Sequence, residues 1–116
     1  MAITTKSAKS KARKLQQWVR DKVLSLSPML RPEDVKSTTM GESGTDIQLS
    51  PYAKDRFPWV FECKANKSFA VYKVLEQCQS HAKQGEVPIV VLKGDRKDPV
   101  VVVDADWFFE QFKEVE

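Results

Sequence analysis

Gly44-Thr45-Asp46-Ile47-Gln48-Leu49 and, after a short insert, Trp59-Val60-Phe61-Glu62-Cys63-Lys64 are the two segments on which the reading of this chain turns. In the second, apolar residues are interrupted by a carboxylate and an ammonium two positions apart, so on a strand both side chains point to one face. In the first, Ile47 and Leu49 alternate with Asp46 and Gln48, the pattern of a neighbouring strand with one polar face. Two adjacent strands of this kind converge two carboxylates and one lysine on a single spot. That is equipment for holding a hard divalent cation and for chemistry on a phosphate.

Between the two segments, Ser50-Pro51 opens a short helical turn, with serine as cap and proline at the first helical position. Lys54 and Arg56 of this insert either reach a nucleic-acid strand or decorate a loop. Upstream, Gly41-Glu42-Ser43-Gly44 reads as a turn, and Glu42 there reads as solvated rather than as a further ligand. A short strand is expected over residues 34–39, after a loop containing two prolines.

The amino-terminal part predicts a helix over residues 8–26, following a frayed tail at 1–7. Ala8, Ala12, Leu15, Val19, Val23 and Leu26 recur at helical spacing beside Trp18, and Pro28 stops the run. Lys9, Lys11, Arg13, Lys14, Arg20 and Lys22 cover its other side, with Asp21 as their acidic neighbour. A basic face of this kind is either a solvated helix surface or a contact for a polyanion backbone, where each neutralised phosphate releases counterions.

Downstream of Lys64, Ser68 is placed to cap a helix over about residues 69–83, whose buried stripe is Val71, Val74, Leu75 and Cys78. His81, the single histidine of the chain, falls near the end of that helix. It reads as exposed, some two turns from the converging strands, rather than as a general base. Residues 88–93 and 100–103 read as two strands of a hairpin around the charged turn Gly94–Pro99. Lys93, Arg96 and Lys97 there are either phosphate contacts or solvated charges. Asp104 caps a last helix running from Ala105 to about Glu114, whose Trp107, Phe108 and Phe112 read as lids on the core, with a subunit interface as the alternative.

At 116 residues the chain suits one domain with one core. Its net charge of +3 is unevenly spread: residues 1–22 hold seven basic residues and one acidic, and the remainder is net negative. A basic segment without a matching acidic run suggests a polyanionic partner. Cys63 and Cys78 have neither metal-site spacing nor the density of a secreted scaffold, and read as reduced core thiols. No stretch approaches a membrane span and no signal peptide is apparent, so a cytoplasmic setting without membrane contact is expected.

The order of these elements, with Asp46 at the head of one strand and Glu62-Cys63-Lys64 on the next, resembles the PD-(D/E)XK nuclease superfamily. Among its members the chain looks most like the small phage-type endonucleases related to Holliday junction resolvases. The likeness spans about three quarters of the chain, from the basic first helix through Leu75-Glu76-Gln77 and Val90-Val91-Leu92-Lys93, with Thr45 in place of the proline of the family name. It implies an α/β restriction-endonuclease-like core (α-β-β-β-α-β), a mixed central sheet flanked by helices, in a single domain. It also implies Mg²⁺- or Mn²⁺-dependent hydrolysis of DNA, with the ion held by Asp46, Glu62 and the backbone carbonyl of Cys63.

By the same resemblance Lys64 stabilises developing charge or orients water, and Gln77 of the following helix turns toward the site, with Glu76 the less favoured candidate. The acidic residue that such first helices often contribute has Gln16 and Gln17 as its nearest counterparts. DNA contacts are expected from Lys9, Lys11, Arg13, Lys14, Lys93 and Arg96. The partners implied are DNA and a second copy of the chain forming a homodimer, with no small-molecule cofactor. Whether the substrate is a junction, a duplex or a single strand stays open, and the alternative is a catalytically idle nucleic-acid-binding module on the same fold.

Overall fold

A computed structural model of the chain describes residues 5–38 and 45–115. Helix α1 (Thr5–Leu24) buries Leu15, Val19 and Val23, one residue per turn, and Gln16 beside them. It ends earlier than the apolar spacing suggests. Leu26 N–H bonds to Val23 O and Ser27 Oγ accepts Met29 N–H, so the chain turns away before Pro28 and leaves Leu26 53% exposed.

A 3-10 turn over Pro32–Asp34 leads into β1 (Val35–Ser37), which pairs antiparallel with β2 (Ile47–Leu49) in the register Val35↔Leu49. The turn foreseen over Gly41–Gly44, and Glu42 with it, lies outside the described residues, as does the last residue of the strand foreseen over 34–39. Helix α2 (Pro51–Arg56) begins as its Ser50-Pro51 pair foretells: Ser50 Oγ accepts Ala53 N–H and donates to Asp34 Oδ1. Lys54 is held by Glu86 at 2.7 Å and Arg56 lies against the Tyr52 ring, so neither residue of this insert stands free.

The core of the fold is β3 (Trp59–Ala65), which runs parallel to β4 (Val87–Lys93) over seven residue pairs, with β5 (Val100–Val102) antiparallel on the far side of β4. A parallel pair needs a crossover, and α3 (Val71–His81) supplies it. This helix is shorter than the 69–83 expected from sequence. Ser68 does not cap it; the cap position is Ala70, whose side chain has no oxygen to offer. The chain is thus an α/β fold in the expected order of helix, three strands, helix, two strands and helix, with α2 inserted, but its strands form two sheets rather than one: the antiparallel pair β1-β2 and the mixed sheet β3-β4-β5.

Alternation along β3 and β4 sorts the core into two halves. Phe61, Cys63, Ile89 and Val91 face α1 and pack with Leu15, Val19, Val23 and Ile47, whereas Val60, Val90 and Leu92 pack with Cys78 of α3. Glu62 and Lys64 share the parity of Val60, and so fall on the α3 face. No strand ladder joins β2 to β3; the two sheets meet through a backbone bond from Asp46 N–H to Phe61 O at 3.2 Å.

The last helix, α4 (Ala105–Glu110), starts as expected with Asp104 accepting Trp107 N–H, but stops short of Glu114. Gln111 folds its side-chain amide back onto Trp107 O and closes the helix. Phe108 and Phe112 are not core lids, whereas Trp107 is partly buried. Phe108 is 44% exposed and Phe112 70%, their rings tilted against each other at 5.2 Å.

Candidate functional site

Asp46 is set by its neighbours on both sides. Ile47 is buried in the α1 half of the core, so strand alternation turns Asp46 to the other face. Its backbone is pinned at both ends, the carbonyl by Thr38 N–H and the N–H by Phe61 O. Its side chain then completes the joint: Oδ2 accepts Cys63 N–H at 2.6 Å, taking the place of the next rung of the ladder. Burial pushes the Asp46 carboxyl above its usual range, and the Cys63 N–H and the nearby Lys64 and His81 only partly offset this.

Glu62 is more deeply placed, with 4% of its surface exposed. Burial, reinforced by repulsion from Asp46, raises its carboxyl above the ordinary range too. Its two oxygens have different surroundings. Oε1 lies 3.6 Å from Lys64 Nζ, a loose ion pair whose lysine keeps 34% of its side chain in solvent. Oε2 lies 3.9 Å from His81 Nδ1, and neither of these buried atoms has a hydrogen-bond partner.

The strands therefore bring Asp46, Glu62 and Lys64 together on the α3 face. His81 joins them, against the sequence reading that left it exposed and remote. A signal for it was present: Val74, Cys78 and His81 follow the i, i+4, i+7 spacing of the helix face that packs on the sheet. Gln77 is one residue off that face; it is exposed, and no hydrogen bond joins its side chain to the cluster. Gln16 is buried but accepts a bond from Ser37 Oγ, and Gln17 is exposed.

Both cysteines are free and buried. Burial pushes the Cys78 thiol up to about 11 and the Cys63 thiol higher still, so neither is a thiolate at neutral pH. What Cys63 offers the site is its backbone. Its N–H already points at Asp46, and in an extended strand the carbonyl of the same residue faces the same edge.

The basic residues fall elsewhere. Lys11, Lys14 and Trp18 of α1, Lys67, Lys93 and Arg96 line a groove of about 920 Å³ between α1 and the β4–β5 turn. Ala65 and Lys93 have the parity that faces α1, so this groove opens on the opposite side of the sheet from Glu62 and Lys64. Lys11 is held across it by Asp95 at 3.0 Å. That bond keeps the exposed Asp95 carboxyl below its usual range. Lys9 and Arg13, also named from sequence as contacts, are exposed on α1 outside the groove lining.

Among the described residues, no group of three or more His, Cys, Asp or Glu side chains is placed to hold a metal ion. None of the described helices is long and apolar enough to cross a membrane. The chain matches no protein-family model, and no curated protein or solved structure is significantly similar to it.

Proposed function

We propose that this chain is a divalent-metal-dependent DNA endonuclease with a restriction-endonuclease-like core. The observation that carries the reading is the Glu62 carboxylate, sunk beside Asp46 with one oxygen bound by no hydrogen-bond donor. Two adjacent carboxylates, each made reluctant to ionise by burial, are a costly arrangement unless a cation compensates them. This donor set fits a hard ion: Asp46, Glu62 and the Cys63 carbonyl supply oxygen only. When bound, such an ion polarises a phosphodiester and lowers the pKa of a water molecule.

The rest falls to the chain's own groups. Cys63 N–H fixes the Asp46 carboxylate in one orientation, and Lys64, partly in solvent and leaning on Glu62, can turn toward negative charge developing on a phosphate. The basic groove along α1 would supply most of the affinity through phosphate contacts. One 13.3 kDa chain carries one such cluster, and cutting two strands of opposite polarity calls for two, so the working form in this proposal is a two-fold dimer.

A second reading, a nucleic-acid-binding module without catalysis, draws on the separation of groove and carboxylates by the sheet. One experiment divides them. A four-way junction, a linear duplex and single strands are incubated with Mg²⁺ or Mn²⁺ and either wild-type protein or Glu62→Gln. The nuclease reading expects cleavage of at least one substrate, lost in chelator and lost in Glu62→Gln while binding persists. Binding without cleavage by the wild type, or unchanged rates in Glu62→Gln, returns the chain to the second reading.

A further inference from the structure

Glu62 Oε2 and His81 Nδ1 are the two buried side-chain polar atoms, among the described residues, that have no hydrogen-bond partner. They face one another. Folded proteins leave few such atoms, because each unpartnered buried group forfeits about 1–3 kcal/mol of desolvation. Two of them opposed at 3.9 Å therefore share one explanation. The gap is too long for a direct N–H···O bond, which needs roughly 2.7–3.2 Å. Two ligands of one ion at bonds of about 2.0–2.2 Å lie roughly 2.8–3.6 Å apart at octahedral or tetrahedral angles, so an ion shared by both atoms draws them slightly closer than the 3.9 Å at which they stand. Lys64 occupies the side of Oε1 and leaves Oε2 to that ion.

We propose that His81 is a metal ligand, its Nδ1 sharing one divalent ion with Glu62 Oε2, and that the site accordingly takes a first-row transition ion such as Mn²⁺, Co²⁺ or Zn²⁺ in preference to Mg²⁺. The inference rests on the reading of Glu62 as a metal-binding carboxylate. An imidazole nitrogen adds little for Mg²⁺, which holds to oxygen and to its own water, whereas transition ions gain from it. The side-chain cluster alone offers no ready three-residue cage. An ion between Glu62 and His81 draws its remaining ligands from backbone and water, and Asp46 joins them only by turning its side chain toward the ion.

The test uses the full chain and the metal alone. His81 is the single histidine, so its imidazole proton gives one assignable resonance. Titration of chelator-treated protein with Co²⁺ is expected to move that resonance far outside the diamagnetic range at one equivalent, as direct ligation does. Calorimetric titration should give Mn²⁺ or Co²⁺ binding tighter than Mg²⁺, and His81→Ala should weaken the transition ion by at least the roughly tenfold that loss of even an outer partner costs. Mg²⁺ affinity should change little.

The wild-type resonance keeps the proposal testable if His81→Ala does not fold. An imidazole resonance that stays in place while Co²⁺ binds overturns it, since a water or a direct contact then fills the gap. No binding of any ion, or equal affinity for Mg²⁺ and Mn²⁺, overturns it as well. Cleavage is not the readout: a shifted resonance without nuclease activity would sink the endonuclease reading alone, and Mg²⁺-driven cleavage with an unmoved resonance would sink this inference alone.

Discussion

At the scale of single residues, the Asp46 and Glu62 carboxyls set how the metal-free protein responds to pH. Burial raises both in the folded state, so between the ordinary carboxylate range and the raised values the folded chain binds more protons than the unfolded one. Stability contributed by these groups is therefore greatest in acid and lost as pH rises through that window. Asp34 and Glu86, both lowered by hydrogen bonds, act in the opposite sense at more acid pH. The difference between two proteins isolates the effect. Glu62→Gln, which cannot ionise, should melt a few degrees above wild type at pH 7 in chelator, with the gap closing as pH falls toward 4. Thermal unfolding by circular dichroism across that range checks it, and an equal or lower melting temperature at pH 7 would mean Glu62 is not held at a cost.

At the scale of elements, α1 and the β4–β5 turn form the basic groove by meeting across it. Replacing Lys11, Lys14 and Lys93 together by alanine should weaken DNA binding and reduce the slope of log affinity against log salt by about 2–3, roughly one unit per lost phosphate contact. Replacing Lys9 and Arg13, outside the groove, should do less. Asp95→Asn, which frees Lys11, should tighten binding at low salt. Equal losses from both sets of basic residues in a salt titration would return α1 to a merely solvated basic face.

Much of this level was legible beforehand. Asp46, just ahead of β2, and Glu62-Cys63-Lys64 on β3 come together with the expected facing, because alternation is a property of extended chain itself. For His81, spacing gives the helix face it shares with Val74 and Cys78 but not its depth, which depends on how closely α3 packs against β3. The lengths of α3 and α4 were misjudged for a related reason. Ser68 lies too far ahead of Val71 to cap it, and aromatic residues in α4 declare an apolar face without declaring whether the chain has a surface to cover it.

At the scale of the molecule, that uncovered surface is a groove of about 510 Å³ between α1, the sheet and α4, bounded by Trp18, Leu26, Val101, Phe108 and Phe112. Apolar area of this kind is where the proposed dimer would form, and about 800 Å² per partner is enough for a stable pair. Light scattering at micromolar concentration should give twice the 13.3 kDa chain mass, and Phe108→Glu with Phe112→Glu should return it to the single value. A 13.3 kDa particle in the wild type, with nicking of one strand only, would mean that a lone chain acts.

The placement of lysine groove and carboxylates on opposite sides of one sheet has a geometric consequence. A nucleic acid lying straight along α1 is turned away from Glu62 by the thickness of the sheet. To touch both, its path must bend around the end where Ala65 and Lys93 pair. Stiff duplex resists such a path, with a persistence length of about 150 base pairs, whereas a nick, a gap or a branch point bends at almost no expense. The protein would then sense flexibility rather than sequence: affinity should climb from intact duplex to the same duplex carrying a central gap, and identical affinities for the two would show that the substrate never rounds that edge.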